Sequence, residues 1–311
     1  MMSRDAVRIQ RRTTTEQRNF VHERRVTPVS ARIAAYKTKH KRNKEYYMKD
    51  LRLKVLDAFG HTLTISHPSG DGIGAVHTME YHEGDRIAIN AGGMKGLFWI
   101  QLDEALGKAL VYLDGNEFNY PIPAPDKRVC FSPKAFSGSR HVMYVHPASQ
   151  ADGDVYRNLA LNPYDNHAIQ GFFPHAKANV ETRNEMTFAA RNAIDGIFEN
   201  GSHGEYPYSS WGINRNPEAC LTLDFGRPVV VDTIRLTLRA DFPHDSYWTE
   251  GTVTFSDETF MTLPLEKSAL PQKFTFEPKT ITGLQLNKLI KADDGSPFPA
   301  LTQIEAFGTE A

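Results

Sequence analysis

Two cysteines in 311 residues are too few to staple a fold of this size. Cys130 and Cys220 stand far apart, each beside strand-like sequence, and read as separate buried thiols rather than as a disulfide. No apolar run is long enough to cross a membrane. The N-terminus is charged with no apolar stretch behind it, which is not a secretory-signal pattern. These absences make a cytoplasmic protein the default expectation. An excess of one charge is also missing, since 36 Lys+Arg face 37 Asp+Glu. Overall charge therefore gives no reason to expect a nucleic-acid partner.

Missing motifs narrow the chemistry further. Gly70, Gly72 and Gly74 sit close together, but no Lys-Ser/Thr follows them and nothing nearby reads as a strand–helix–strand unit, so a hairpin turn is expected there rather than a phosphate loop. Asp293, Asp294 and Gly295 lack the alternating ligands of a calcium hand. The 12 histidines show no helical zinc-protease pair, and two distant cysteines make no zinc cluster. A Gly-x-Ser-x-Gly nucleophile turn is absent. Paired carboxylates meet in space rather than in sequence, and Glu205 with Asp241 is the one pair that merits a check.

What is present is organised in three parts. Residues 1–50 form a basic leader, with fourteen Lys/Arg against five Asp/Glu, leaving the remainder acidic. Its apolar positions make no continuous helical stripe, and Pro28 interrupts it, so a partly helical or disordered extension is expected. From Leu51 the pattern changes to period two. Leu51, Leu53 and Val55 alternate with Arg52, Lys54 and Leu56, and further runs follow at 61–66, 76–81, 85–90, 97–102, 109–113 and 141–145. Gly-, Asp- and Asn-rich turns separate them. Short strands at this spacing, with connections too short for parallel crossovers, indicate an antiparallel β-sandwich over 51–150. Trp99, Tyr112 and Tyr120 fall in strand-like runs and are expected to pack. After a polar stretch at 148–157, residues 151–311 carry a second alternating set. Its expected core is Leu221, Leu223, Phe225, Ile234, Leu236, Leu238, Val253 and Phe255. The fold class is therefore all-β, with two antiparallel sandwiches behind a leader.

The motifs of the last half come in a telling order. Asn158 to Asn162 is followed by Ala189 to Gly196, which ends in Ala-x-Asp-Gly. Ser210-Trp211, Leu221 to Gly226 and Ile234 to Arg239 come next. Val253 to Asp257 and Leu301 to Gly308 close the series. This succession resembles the discoidin family, also called the coagulation-factor C-type or galactose-binding-like domain. The resemblance covers about half the chain and implies a jelly-roll sandwich that presents a ligand site on loops at one end, without chemistry of its own.

Three loops of that half are rich in rings, cations and amides. They contain Tyr206; Arg239, Asp241, His244 and Trp248; and Lys291. A sugar needs a flat apolar plate for its C–H face and planar polar groups for its hydroxyls. Trp248 or Tyr206 is the expected plate, and Arg239 and His244 the hydroxyl partners, with Asp241 and Lys291 as further contacts. Trp211 is expected in the core, while Phe242 and Phe298, each beside a proline, would cap the barrel. The resemblance also implies a structural Ca²⁺ held by Asp195, by the carbonyl of Asn192 and by the last-strand position that is Gln303 here. The alternative for Asp195 is a cap that tightens its turn. A non-catalytic saccharide binder is the leading expectation. A protein-interaction module using the same loops, and an enzyme with a cleft between the sandwiches, stay open beside it.

Overall fold

Alternation along Leu51, Leu53 and Val55 places all three side chains in one interior, and each is fully buried in the computed structural model. The structure describes residues 50–199, 206–241 and 246–311. The basic leader up to residue 49 lies outside them, as do Glu205, Phe242 and His244. No helix among the described residues is long and apolar enough to cross a membrane.

The first sandwich takes nine strands in sequence. They are β1 (Leu51–Leu56), β2 (Thr62–Ile65), β3 (His67–Ser69), β4 (Gly72–His77), β5 (Arg86–Ala91), β6 (Gly96–Gln101), β7 (Ala109–Leu113), β8 (Glu117–Pro121) and β9 (His141–Pro147). One sheet has the order β2-β1-β5-β8. The facing sheet runs β7-β6-β9-β4-β3, and a later strand extends it beyond β7. All pairings are antiparallel. Gly70 sits at the turn between β3 and β4 with φ +55°, so the glycine cluster serves a hairpin.

The strand expected at 76–81 lies earlier, at Gly72–His77. The glycines that lower strand propensity there are needed by packing. A Cβ at Gly72 would sit 2.2 Å from the Val145 carbonyl of β9.

The second half continues with β10 (Arg157–Asn158), β11 (Phe172–Phe173), β12 (His175–Ala178), β13 (Trp211–Gly212), β14 (Leu221–Leu238), β15 (Trp248–Phe255), β16 (Phe260–Pro264), β17 (Gln272–Lys291) and β18 (Ala300–Glu310). The long strands give the order β10-β18-β14-β17-β15-β16, with β12 on β14 and β13 on β18. Every residue named above as second-sandwich core is buried, and Trp211 joins them. The all-β class is plain in these pairings.

The segment between the halves serves both. β11 pairs with β7, and Tyr164, Ile169 and Phe172 are buried in the first core, whereas Leu159 and Ala160 belong to the second. Tyr164 Oη accepts from the Leu102 N–H at 3.1 Å and lies 3.0 Å from the Asp103 carbonyl. Gly226, at the bend of β14, has φ +67°, and a Cβ there would stand 2.2 Å from the Phe173 ring. Arg227 lies over the Tyr112 ring at 5.0 Å while forming a two-pronged pair with Glu310 at 2.6 and 2.7 Å. The sandwiches thus share a packed seam rather than a free linker.

Candidate functional site

The end of β14 delivers Arg239 to a hollow of about 140 Å³ at one pole of the second sandwich. The Arg239 N–H donates to the Ala300 carbonyl at 2.9 Å, which ties this corner to the start of β18 and to the Phe298-Pro299 turn before it. The opposite wall is the stretch after β13. Asn214 and Arg215 adopt left-handed backbone, with φ +49° and +58°, and the Asn214 N–H donates to Thr182 Oγ1 at 3.0 Å. Gly212 lets that wall close, because a Cβ would meet Thr182 Oγ1 at 2.7 Å.

Three guanidinium groups and two rings line the hollow. Arg215 stacks over Phe298 at 4.4 Å, and Arg183 lies 5.3 Å over Phe188 while pairing with Glu185 at 2.6 and 2.7 Å. Arg239 is 2% exposed and stacks on Tyr208, 3.2 Å from the ring centroid. Its Nε and Nη2 have no hydrogen-bond partner among the described residues, although Nε is 3.5 Å from Asp241 Oδ1. Burial pulls the Arg239 guanidinium below its ordinary range, against the opposing pull of Tyr208 and Asp241. Burial also pushes the Tyr208 hydroxyl up to about 12. A buried fork with spare donors is a group that a ligand oxygen would satisfy.

Of the expected ligand residues that lie among the described residues, Arg239 and Asp241 alone come together. Trp248 is not a rim plate. It is 1% exposed, in the core, with its ring 6.4 Å from that of Trp211. Trp248 opens β15, just ahead of a register shift against β17, and its ring belongs to the core cluster of the second sandwich. Lys291 reaches back to Asp294 at 2.6 Å and to the Ala292 carbonyl at 2.7 Å, so its charge is spent on its own turn. His244 lies outside the described residues. Tyr206 stands elsewhere, held by the Val129 carbonyl at 2.9 Å. The hollow is lined instead by Phe298, read from sequence as a cap, together with Phe188. Arg183, Phe188 and Arg215 were not foreseen, since positive φ at consecutive non-glycine residues leaves little trace in sequence.

Tyr206 belongs to a second hollow of about 470 Å³ on the seam, with Cys130, Phe131, Arg191, Asp195 and Glu305 among its walls. Arg191 is buried and stacks on Phe131 at 4.4 Å. It donates to the carbonyls of Asp165 and Pro163, each at 3.0 Å. Burial pushes the Cys130 thiol up, which disfavours the reactive thiolate. Cys220 is partly buried, and both cysteines are free.

The Ca²⁺ ligand set can be tested on its own atoms. The Asn192 carbonyl, Asp195 Oδ1 and the Ile197 carbonyl do converge, but Gln303 Nε2 occupies their centre at 2.7, 2.8 and 3.1 Å. The amide orientation is fixed from its other end, because Gln303 Oε1 accepts the Gly196 N–H at 3.0 Å. Arg191 Nη1 adds a cation 3.3 Å from Asp195 Oδ2. Burial pushes the Asp195 carboxyl up to about 6 despite the Arg191 charge. Protein N–H donors therefore meet the oxygens that a hard cation would need, and the residues do not fit Ca²⁺.

No protein-family model matches the chain, and no curated protein matches it. Solved structures do resemble it over about half its length. A chitosan-binding module of a chitosanase/glucanase from Paenibacillus sp. IK-5 is 18% identical, with 50% of this chain and 100% of the module covered and a TM-score of 0.34. A family 32 carbohydrate-binding module of Clostridium perfringens NanJ, in complex with galactose, is 15% identical over 49% of this chain and 99% of the module, with a TM-score of 0.36. A Streptococcus pneumoniae fucose-binding module is 12% identical over 49% and 98%, with a TM-score of 0.36. At these identities and scores the likeness assigns neither a ligand nor a residue role to this protein.

Proposed function

We propose that this protein binds a saccharide, without chemistry, in the hollow bounded by Arg239, Arg215 and Phe298. The observation that carries the reading is the buried Arg239 fork with spare donors beside a ring that is 38% exposed. Phe298 offers the apolar plate for a pyranose face, and Arg215, stacked on its edge of the hollow, holds that ring in place. Arg239 supplies donors for one or two ring hydroxyls, and Asn214 in the opposite wall offers both a donor and an acceptor. Few groups are desolvated in so small a hollow, so affinity on the order of micromolar to millimolar is expected.

The test is titration of a panel of galactosides, glucosides, fucosides and uronic acids, followed by NMR or calorimetry. Saturable binding of one class, lost in Phe298→Ala and weakened in Arg239→Lys, supports the reading. No saturable response across the panel overturns it.

A further inference from the structure

A second cluster lies in the first sandwich, away from the hollow. Asp103 and Glu104 follow β6, and His141 opens β9. One ligand atom from each lies within 4.8 Å of the other two. Asp103 and His141 are buried, whereas Glu104 is exposed and opens the cluster to solvent. Each group is held in place from behind. Asp103 Oδ1 accepts the Ala105 N–H and its Oδ2 the Phe136 N–H, both at 2.8 Å. Glu104 Oε1 accepts the Val142 N–H at 2.8 Å.

His141 Nε2 lies 2.9 Å from the Gly138 carbonyl. A carbonyl can only accept, so Nε2 carries a proton, and in the neutral imidazole that metal binding requires Nδ1 keeps its lone pair. That arrangement of the far nitrogen is how proteins orient a metal-binding imidazole. Nδ1 then faces Asp103 Oδ2 at 3.9 Å. The gap is too long for a hydrogen bond and suits an ion about 2.0–2.2 Å from each atom.

Two further observations point the same way. No Lys or Arg among the described residues forms an ion pair with Asp85, Asp103 or Glu104, although Asp85 and Asp103 are buried. His77 lies directly across from His141 on the neighbouring strand, so both imidazoles enter the same interior. Its Nδ1 meets Thr64 Oγ1 at 2.8 Å, while its Nε2 is buried with no partner among the described residues. The His77 and His141 rings are 5.9 Å apart, with Tyr81 against both at 5.0 and 4.3 Å.

We infer that Asp103, Glu104 and His141 form a binding site for a borderline first-row divalent cation, zinc being the best match. One imidazole and two carboxylates are the donor set such ions take, and a single nitrogen argues against a hard ion such as calcium. Three protein ligands leave a position for water, and a metal-bound water supplies the partner that His77 Nε2 lacks. The ion fastens the loop after β6 to the first residue of β9.

Calorimetric titration of tag-free, chelator-treated protein with zinc chloride tests the site. One zinc per chain is expected, with a rise in melting temperature. Glu104→Gln keeps an acceptor for the Val142 N–H on an exposed side chain, and it should weaken zinc on the order of tenfold or more. His141→Gln should abolish the tight site. Circular dichroism shows whether each variant is folded, and Glu104→Gln decides the question if His141→Gln is not. Absence of stoichiometric uptake, or uptake of unchanged affinity in folded Glu104→Gln, overturns the inference. Sugar titration of the same variant should be unaffected, so this site and the hollow stand or fall separately.

Discussion

The side-chain nitrogen of Gln303 lies 2.8 Å from Asp195 Oδ1, where an oxygen ligand and a bound cation would otherwise face each other. The amide gives this corner hydrogen bonds without a net charge. Melting temperature should therefore be the same in millimolar Ca²⁺ and in excess chelator specific for calcium. Gln303→Glu places a second carboxylate against a buried one, which is costly unless a cation joins them. That variant should melt lower than wild type and regain part of the loss with Ca²⁺. A calcium-dependent rise in the wild type would show that the amide yields its place.

His175 and Asp165 form a 2.6 Å pair in which the carboxylate is fully buried and the imidazole mostly so. The hydrogen bond to Asp165 is the main cause that raises the His175 pKa above 6.5, with burial opposing it. A raised folded value means that the folded state holds the proton more tightly. The contribution is whole below the unfolded value and fades as pH climbs through the folded one. Urea unfolding from about pH 6 to about pH 9 should show this decline, and His175→Gln should flatten that part of the profile. An unchanged slope in the variant would assign the decline to other groups.

Trp248 and Phe298 separate packing from recognition. Trp248→Ala should cost ~3–5 kcal/mol of stability, as expected for a large buried ring. Trp248→Phe should cost less and leave sugar affinity where it was. Phe298→Ala should do the reverse, with little loss of stability and loss of binding. Chemical denaturation and ligand titration of the three variants read the two effects apart.

Gly226→Ala should destabilise the chain by ~1–3 kcal/mol or more, because the site combines a left-handed backbone with a Cβ inside the Phe173 ring. Phe173→Ala in the same chain removes the clash but not the backbone strain. The double variant should therefore lose less than the sum of the single losses. Simple additivity, measured by a double-mutant cycle, would refute the contact.

The strands were legible wherever one face is buried and the other wet. Leu221 to Phe225 alternates in sequence and in burial alike, whereas along Ile234 to Leu238 the polar Thr237 is buried with its apolar neighbours. Gly72 and Gly74 hid a strand because their value lies in what they leave out, which only the neighbouring β9 reveals. Arg239 stood out in sequence as part of a loop rich in rings and cations, and it lines the hollow. Trp248 was misplaced because composition marks a loop as ring-rich without saying which ring faces inward. One residue of register decides that. The wall formed by Arg183 and Arg215 depends on local left-handed turns, and the cation cluster joins Asp103 to His141 across 38 positions, so neither leaves a contiguous motif.

The pairing of Phe172–Phe173 with Ala109–Leu113 has a consequence for how this architecture can be cut and reused. A cassette transplanted from residue 151 onward would carry away an edge strand and the Tyr164 plug of the body left behind, exposing Leu113 and Phe118 to water. The two sandwiches are spliced rather than strung together, and any exchange between proteins would have to move them as one inheritance.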